Sequence, residues 1–366
     1  MPDEVSGDGL IPAAIRTFER MPVPDAALRL AVRVLVRRTR TALANADPLA
    51  TATFARAMTE FPITAQADAA NAQHDEVPAE FFAFVLGPQR KYSCCLYPSP
   101  ETTLEEAEEA ALCETARHAA LRNGQTILEL GCGWGSFSLW MARHYPASKI
   151  VSVANSNSQR ASIEATAAER GIRNLRVVTA DANEFAPTQR FDRVVSVEMF
   201  EHMSNWAELL ARVRTWLAPD GRLFLQMFTH ATTPYRFDHT DPADWIGQHF
   251  LTGGIMPSER LIHEFSSSVT VEQSWRWSGQ HYARTAEDWL RNFDRHAAEI
   301  RAIFDKAYGA DAALWQRRWR LFFLATAGLF GHRRGNDWGV NHYLLRPAVV
   351  AVQAPSQRAM AGARSS

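Results

Sequence analysis

The stretch Thr126-Ile-Leu-Glu-Leu-Gly-Cys-Gly-Trp-Gly135 constrains the fold of this chain more than any other. Thr126 to Leu130 is a short, mostly apolar run that fits a buried strand. Gly131, Gly133 and Gly135 follow at alternate positions, and Ser136 to His144 reads as a helix. Alternate glycines after a strand let the backbone turn sharply and approach a ligand with no Cβ in the way. The free N–H groups that open the next helix favour an anionic or polar ligand there. Taken alone, such a turn also fits a tight connection with no ligand, so its surroundings decide.

Those surroundings alternate strand with helix. Candidate strands are Thr126–Leu130, Lys149–Ala154, Leu175–Thr179, Phe191–Val197 and Gly221–Phe228, separated by helical stretches such as Gln159–Glu169 and Trp206–Leu217. The pattern predicts an α/β fold with a mostly parallel sheet and helices on both faces. Val269–Trp277 and Trp338–Leu345 read as two further strands, the last pairing antiparallel. Between them, Thr285 to about Phe330 reads as a long helical region rich in Trp and Arg, a natural lid over the ligand crevice. Ahead of the sheet, Thr102-Thr-Leu-Glu-Glu106 predicts a capping-box start for a helix to about Leu121.

The N-terminal region is expected to be a helical extension over residues 1–60. Residues 1–24, with several prolines, read as weakly ordered, and Asp25 to about Ala44 as a helix. Arg29, Arg33 and Arg37 repeat every four positions along it, as a solvated basic face on a packing helix or as a membrane-surface helix. The main domain is expected over 61–350, with insertions near 229–265 and 280–335, and a disordered tail over 351–366.

Composition narrows the function classes. Formal net charge is −1 and the hydrophobic fraction 46%, so no global field draws in nucleic acid or an anionic membrane. No apolar run is long enough to span a bilayer, and Cys94, Cys95, Cys113 and Cys132 lack zinc-like pairing. The expectation is a cytoplasmic protein with no metal, no nucleic acid and no stable membrane insertion, a homodimer being compatible with it.

In open α/β sheets ligands bind beyond the carboxyl ends of the strands. There this chain places the glycines, then Asn155, Ser156 and Gln159, then Asp181, and finally Val197-Glu-Met-Phe-Glu-His-Met203. The pattern resembles a class I S-adenosylmethionine-dependent methyltransferase, a Rossmann-like seven-stranded sheet with an antiparallel last strand. The resemblance implies S-adenosyl-L-methionine as cofactor and S-adenosyl-L-homocysteine as product. Gly131, Gly133 and Gly135 would then receive the amino-acid part. Asp181, followed by Ala182, would meet the adenine amine. The acid often found after strand two is absent, and Asn155 and Gln159 would bind the ribose instead.

Five ordered motifs narrow the resemblance: Lys91-Tyr-Ser-Cys-Cys95, Gly131-Cys-Gly-Trp-Gly135, Glu198-Met-Phe-Glu-His202, Gly253-Gly254 with Pro257-Ser258, and His281-Tyr-Ala-Arg-Thr285. Together, over about residues 60–347, they are similar to the cyclopropane-fatty-acid-synthase-like methyltransferases, a group that includes plant amine N-methyltransferases. That likeness sets Tyr92 and Ser93 over the cofactor's methionine part and Trp134 against the cofactor. In the lipid branch it sets Cys94, Glu201, His230 and Tyr282 around a bicarbonate ion. In the amine branch Glu198, Glu201 and His202 would anchor and deprotonate the substrate nitrogen.

The cyclopropane synthases commonly carry a small residue such as Gly where Glu198 stands. A protonated alkylamine needs a carboxylate to hold it and a base to free its lone pair. Glu198 therefore favours N-methylation of a small amine, aromatic or cyclic and tetrahydroisoquinoline-like. Transfer to an unsaturated acyl chain is the alternative, and a degenerate cofactor-binding module a distant third. Phe200, Phe228, Trp245, Phe250, Trp275 and Trp338 read as core, a few of them available as an aromatic cage.

Overall fold

The structure is a computed structural model that describes residues 10–44, 46–65 and 77–348. The expected strands form one seven-stranded sheet. They are β1 (Thr126–Leu130), β2 (Lys149–Ala154), β3 (Leu175–Thr179), β4 (Phe191–Val197), β5 (Leu217–His230), β6 (Val269–Ser278) and β7 (Trp338–Pro347). Their order is β3-β2-β1-β4-β5-β7-β6. β1 pairs parallel with both β2 and β4, so the order reverses there and a crevice opens at their carboxyl ends. β7 runs antiparallel between β5 and β6, with Gln226 opposite His342.

Local signals explain the helices that flank the crevice. Thr103 Oγ1 accepts from Glu106 N–H and Glu106 returns a bond to Thr103 N–H, so the expected capping box starts the helix Leu104–His118. Ser156 caps the helix Asn157–Glu169 through the N–H groups of Ser158 and Gln159. Between β6 and β7, the long helical region resolves into three helices, Gly279–Arg295, Ala297–Tyr308 and Ala312–Phe330. They break at His296 and at Gly309, whose φ of 53° suits a residue without a Cβ.

The N-terminal region departs from expectation. A helix, here α1, spans Leu10–Arg20 inside the segment read as weakly ordered. Its proline, Pro12, stands in the first turn, where no intrahelical bond is lost. α2 (Asp25–Ala44) packs along the helix Ala312–Phe330, here α3, through Leu28, Val32 and Val36. The two run parallel: Asp25 pairs with Arg320, and Val32 closes on Gly328, where a Cβ would have no room. Of the basic repeat, Arg29 is bound by Glu287 of Gly279–Arg295, while Arg33 and Arg37 stay exposed. The sequence's compact polar stretch Asn71-Ala-Gln-His74 and the tail 351–366 lie outside the described residues.

Candidate active site

A cavity of about 860 Å³ opens at the switch point. Gly131, Gly133 and Gly135 have φ of 76°, 50° and 81°, so each turn needs a residue tolerant of the left-handed region. Their roles differ. A Cβ at Gly131 would sit 2.6 Å from Met199 Cγ, and one at Gly135 2.6 Å from Ile163, so these two glycines permit close packing. A Cβ at Gly133 would meet nothing within 4 Å, because that position faces the cavity. Gly135 does not line the cavity; it opens the helix Ser136–His144.

Around this turn the structure gathers Tyr92, Ser93, Trp134, Asn155, Gln159, Asp181 and Ala182 on the cavity wall, as the sequence led one to expect. Lys91, buried, donates from Nζ to Ser93 Oγ at 2.6 Å and to Cys94 O at 2.7 Å, which fixes the loop that carries Tyr92. Asp181 is oriented by Asn183 N–H at 2.6 Å and by the Thr64 hydroxyl at 3.4 Å.

Sequence reasoning missed three residues here. Glu129, on β1, lines the cavity and accepts from Ser138 and, at 2.8 Å, from Ser152; burial pushes its carboxyl up to about 7. Ser136 Oγ and Thr179 Oγ1 also line it and are buried without a partner. A Glu inside an apolar strand and hydroxyls at strand and helix ends were the available signals. Unpaired buried hydroxyls beside an open Gly-rich turn suit a polar ligand such as S-adenosylmethionine, which brings ammonium, carboxylate and ribose hydroxyls.

On the cavity wall, next in the chain to the Met199 that packs on Gly131, stands Glu198, with φ of 50°, a left-handed conformation that a non-glycine residue seldom adopts. Its N–H donates to Gln226 O at 2.8 Å. Oε1 accepts from Cys94 N–H and Gln226 Nε2, both at 3.0 Å, and Oε2 from the Tyr282 hydroxyl at 2.8 Å. Gln226 is steadied by the Thr115 hydroxyl at 3.1 Å, a link invisible in the sequence. Burial and the neighbouring Glu198 charge hold the Tyr282 phenol well above its usual range, so it keeps its proton. His202, in the short turn Phe200–His202, shares the cavity wall with Glu198 and Tyr282.

Besides Gly135, three residues expected to be catalytic are not brought to the cavity. Glu201 is 0% exposed and points behind the wall, where Oε1 accepts from Phe228 N–H at 2.7 Å and Oε2 has no partner. Burial, with the Glu198 charge, raises its carboxyl well above the usual range. His230 ends β5, where its Nδ1 takes the Thr233 N–H at 3.0 Å and its ring faces Trp338. Cys94 is fully buried, its thiol raised by burial and turned to Cys95 O; what it offers Glu198 is its backbone N–H. Of the four residues expected around bicarbonate, Tyr282 lines the cavity, and its hydroxyl and the Cys94 N–H meet at the Glu198 carboxylate. Of the aromatic candidates, Phe228 and Trp245 line the cavity, while Phe200, Phe250 and Trp338 are core and Trp275 stacks on His118.

The other half of the cavity is apolar. Leu28, Val32 and Leu35 of α2 face it, with Phe322, Leu329 and Phe330 of α3. Phe330 stacks on the Tyr282 ring at 4.4 Å, which joins this half to Glu198.

Comparison with known proteins fits this geometry. The family profile of mycolic acid cyclopropane synthetase matches residues 64–336. A (S)-coclaurine N-methyltransferase of Thalictrum flavum subsp. glaucum is 33% identical over 292 residues, 78% of this chain and 81% of that protein. The crystal structure of coclaurine N-methyltransferase bound to N-methylheliamine and SAH superposes with a TM-score of 0.88 at 29% identity, covering 92% of this chain and 99% of that one. A cyclopropane synthase of Mycobacterium tuberculosis superposes with a TM-score of 0.66 at 26% identity, over 77% of this chain and 99% of that one. The chain belongs to the mycolic acid cyclopropane synthetase family and is an S-adenosylmethionine-dependent methyltransferase.

Proposed function

We propose that this enzyme N-methylates a small, ring-bearing amine. The observation that carries the reading is Glu198: a charged side chain held in a strained backbone conformation, by three donors, at the junction of the cofactor turn and an apolar chamber. The similarity to amine N-methyltransferases supports it.

S-adenosylmethionine, when bound, supplies a sulfonium methyl to an attacking lone pair. Glu198 attracts the protonated amine and fixes its nitrogen near the cavity wall. His202, on the same wall, is placed to take the ammonium proton, which frees the lone pair for the new N–C bond. Burial and the Glu198 charge raise the Glu201 carboxyl well above its usual range. It serves by bracing the Phe228 N–H rather than as a base. Tyr282 and the Cys94 N–H keep Glu198 aimed, and Phe330, Phe228 and Trp245 exclude water and face the cation.

The lipid alternative is disfavoured by the same carboxylate. Glu198 already occupies the Cys94 N–H and the Tyr282 hydroxyl, two of the groups an anion there would use. The test supplies S-adenosylmethionine with a cyclic-amine panel and, separately, with unsaturated phospholipid vesicles, and locates the added carbon by NMR. Label on nitrogen is expected; label on the acyl chain overturns the reading.

A further inference from the structure

A threonine hydroxyl on a helix has one proton to give and a carbonyl four residues back to receive it. Thr17, Thr41, Thr166 and Thr285 use that carbonyl, on Ala13, Arg37, Ser162 and His281. Thr115, in the helix Leu104–His118, gives its proton elsewhere. Buried at the cavity's edge, it donates across to Gln226 Oε1 on β5 at 3.1 Å. One turn further on, His118 Nδ1 meets His342 Nδ1 at 2.7 Å. His342 stands directly opposite Gln226 in the β5–β7 ladder, so the helix is held to one face of the sheet at two neighbouring points.

That bond decides which end of the Gln226 amide faces Glu198. The two ends differ in chemistry but hardly in shape. With Oε1 taken by Thr115, Nε2 turns to Glu198 and donates to its Oε1 at 3.0 Å. Reversed, the amide would set an oxygen against a carboxylate that can only accept. The backbone of Gln226 also takes the Glu198 N–H at 2.8 Å, just past the Val197–Gln226 pair that ends the β4–β5 ladder. One residue thus grips Glu198 at its strained backbone and at its carboxylate.

Counting lone pairs shows what the grip leaves open. A carboxylate has about four acceptor sites, two on each oxygen. The Cys94 N–H and Gln226 Nε2 fill both sites on Oε1, and the Tyr282 hydroxyl fills one on Oε2. The acceptor site left for a ligand proton is therefore on Oε2.

We propose that Thr115 and Gln226 are positioning residues for methyl transfer: by closing Oε1 of Glu198 they confine the substrate nitrogen to Oε2, in one place rather than two. This rests on the amine reading above. Loss of either residue reopens Oε1, so the cation still binds but divides between a productive and an unproductive seat. The signature is a fall in kcat without a fall in affinity.

The experiment takes the cyclic amine that the native chain methylates fastest. It measures kcat, and separately the binding of that amine by calorimetry to enzyme saturated with S-adenosylhomocysteine, where no transfer can occur. Thr115→Val, which keeps the shape and removes the hydroxyl, and Gln226→Met, which keeps the length and removes the amide, should each lower kcat about 10- to 100-fold, the usual cost of a misplaced reactant. Both should bind the amine and S-adenosylhomocysteine as the native chain does, and Thr115→Ser should restore kcat. In a Glu198→Gln background, Thr115→Val should cost little more, because the two residues act through one carboxylate. A native kcat in Thr115→Val, an equal loss of kcat and of both affinities, or full additivity with Glu198→Gln overturns the assignment and leaves the amine reading standing. If the native chain methylates no amine, the amine reading fails and this assignment with it.

Discussion

At the residue scale, Glu198 and Glu201 show how much a backbone angle decides. Three positions apart, they read as two carboxylates on one turn. In the structure the left-handed φ of Glu198 turns its side chain into the cavity, whereas Glu201, inside the short turn that follows, points behind the wall. The left-handed conformation costs of order 1–3 kcal/mol, offset by the bonds Glu198 makes to Gln226, Cys94 and Tyr282. Glu198→Gln keeps the shape and loses the charge, so amine kcat/KM should fall about 100-fold or more with S-adenosylhomocysteine affinity unchanged, as steady-state kinetics and calorimetry would show. Glu201→Gln should be much milder, because burial already disfavours its ionised form; a loss equal to that of Glu198→Gln would reinstate Glu201 as a base. The residue types and their place after β4 were legible in the chain. Their directions were not, since no local pattern announces a glutamate in a glycine-like conformation. His230 misled for the same reason: the residue ends a strand, but the Thr232–Thr233 backbone claims its ring nitrogen.

At the element scale, the five strands β1 to β5 and the Gly-rich turn were readable because buried parallel strands give unbroken apolar runs. α1 was not, because its proline and mixed composition hide a helix that docks on the rest of the chain. That docking centres on Glu19, which accepts from Trp245 Nε1 and Arg318 Nε, both at 2.8 Å, with His249 at 3.3 Å. Burial opposes the Glu19 charge, but the bonds from His249, Trp245 and Arg318 outweigh it and hold the carboxyl at about 2. A depressed acid stabilises the fold above its unfolded value of 4.5 and loses that contribution as pH falls toward 2. Thermal melts of the native chain and of Glu19→Gln should therefore differ most above pH 4.5 and converge in stronger acid. A gap that stays constant with pH would mean that the charge on Glu19 contributes nothing.

At the scale of the whole molecule, other buried carboxyls act with the opposite sign. Glu108, behind the loop that bears Tyr92, is raised by burial to about 7 although the N–H groups of Gln89 and Lys91 bond to it. A raised acid leaves the folded state holding a proton the unfolded chain has released. Its contribution to stability therefore declines as pH rises from 4.5 to about 7 and is level above that. Glu108→Gln should flatten the decline in melting temperature over this interval; an unchanged slope would assign it to other groups.

The position of β7 has a consequence for how the protein is made. Trp338–Pro347 is the last described strand, yet it lies between β5 and β6. During synthesis β5 and β6 emerge first and have nothing to join them, with the apolar edge of β5 exposed until the ribosome has released residues 338–347. Completion of the sheet thus waits for residues 338–347, the last of its strands to be made. Until then the unpaired edge of β5 is open to wrong pairing, over the interval in which the three helices between β6 and β7 are being translated.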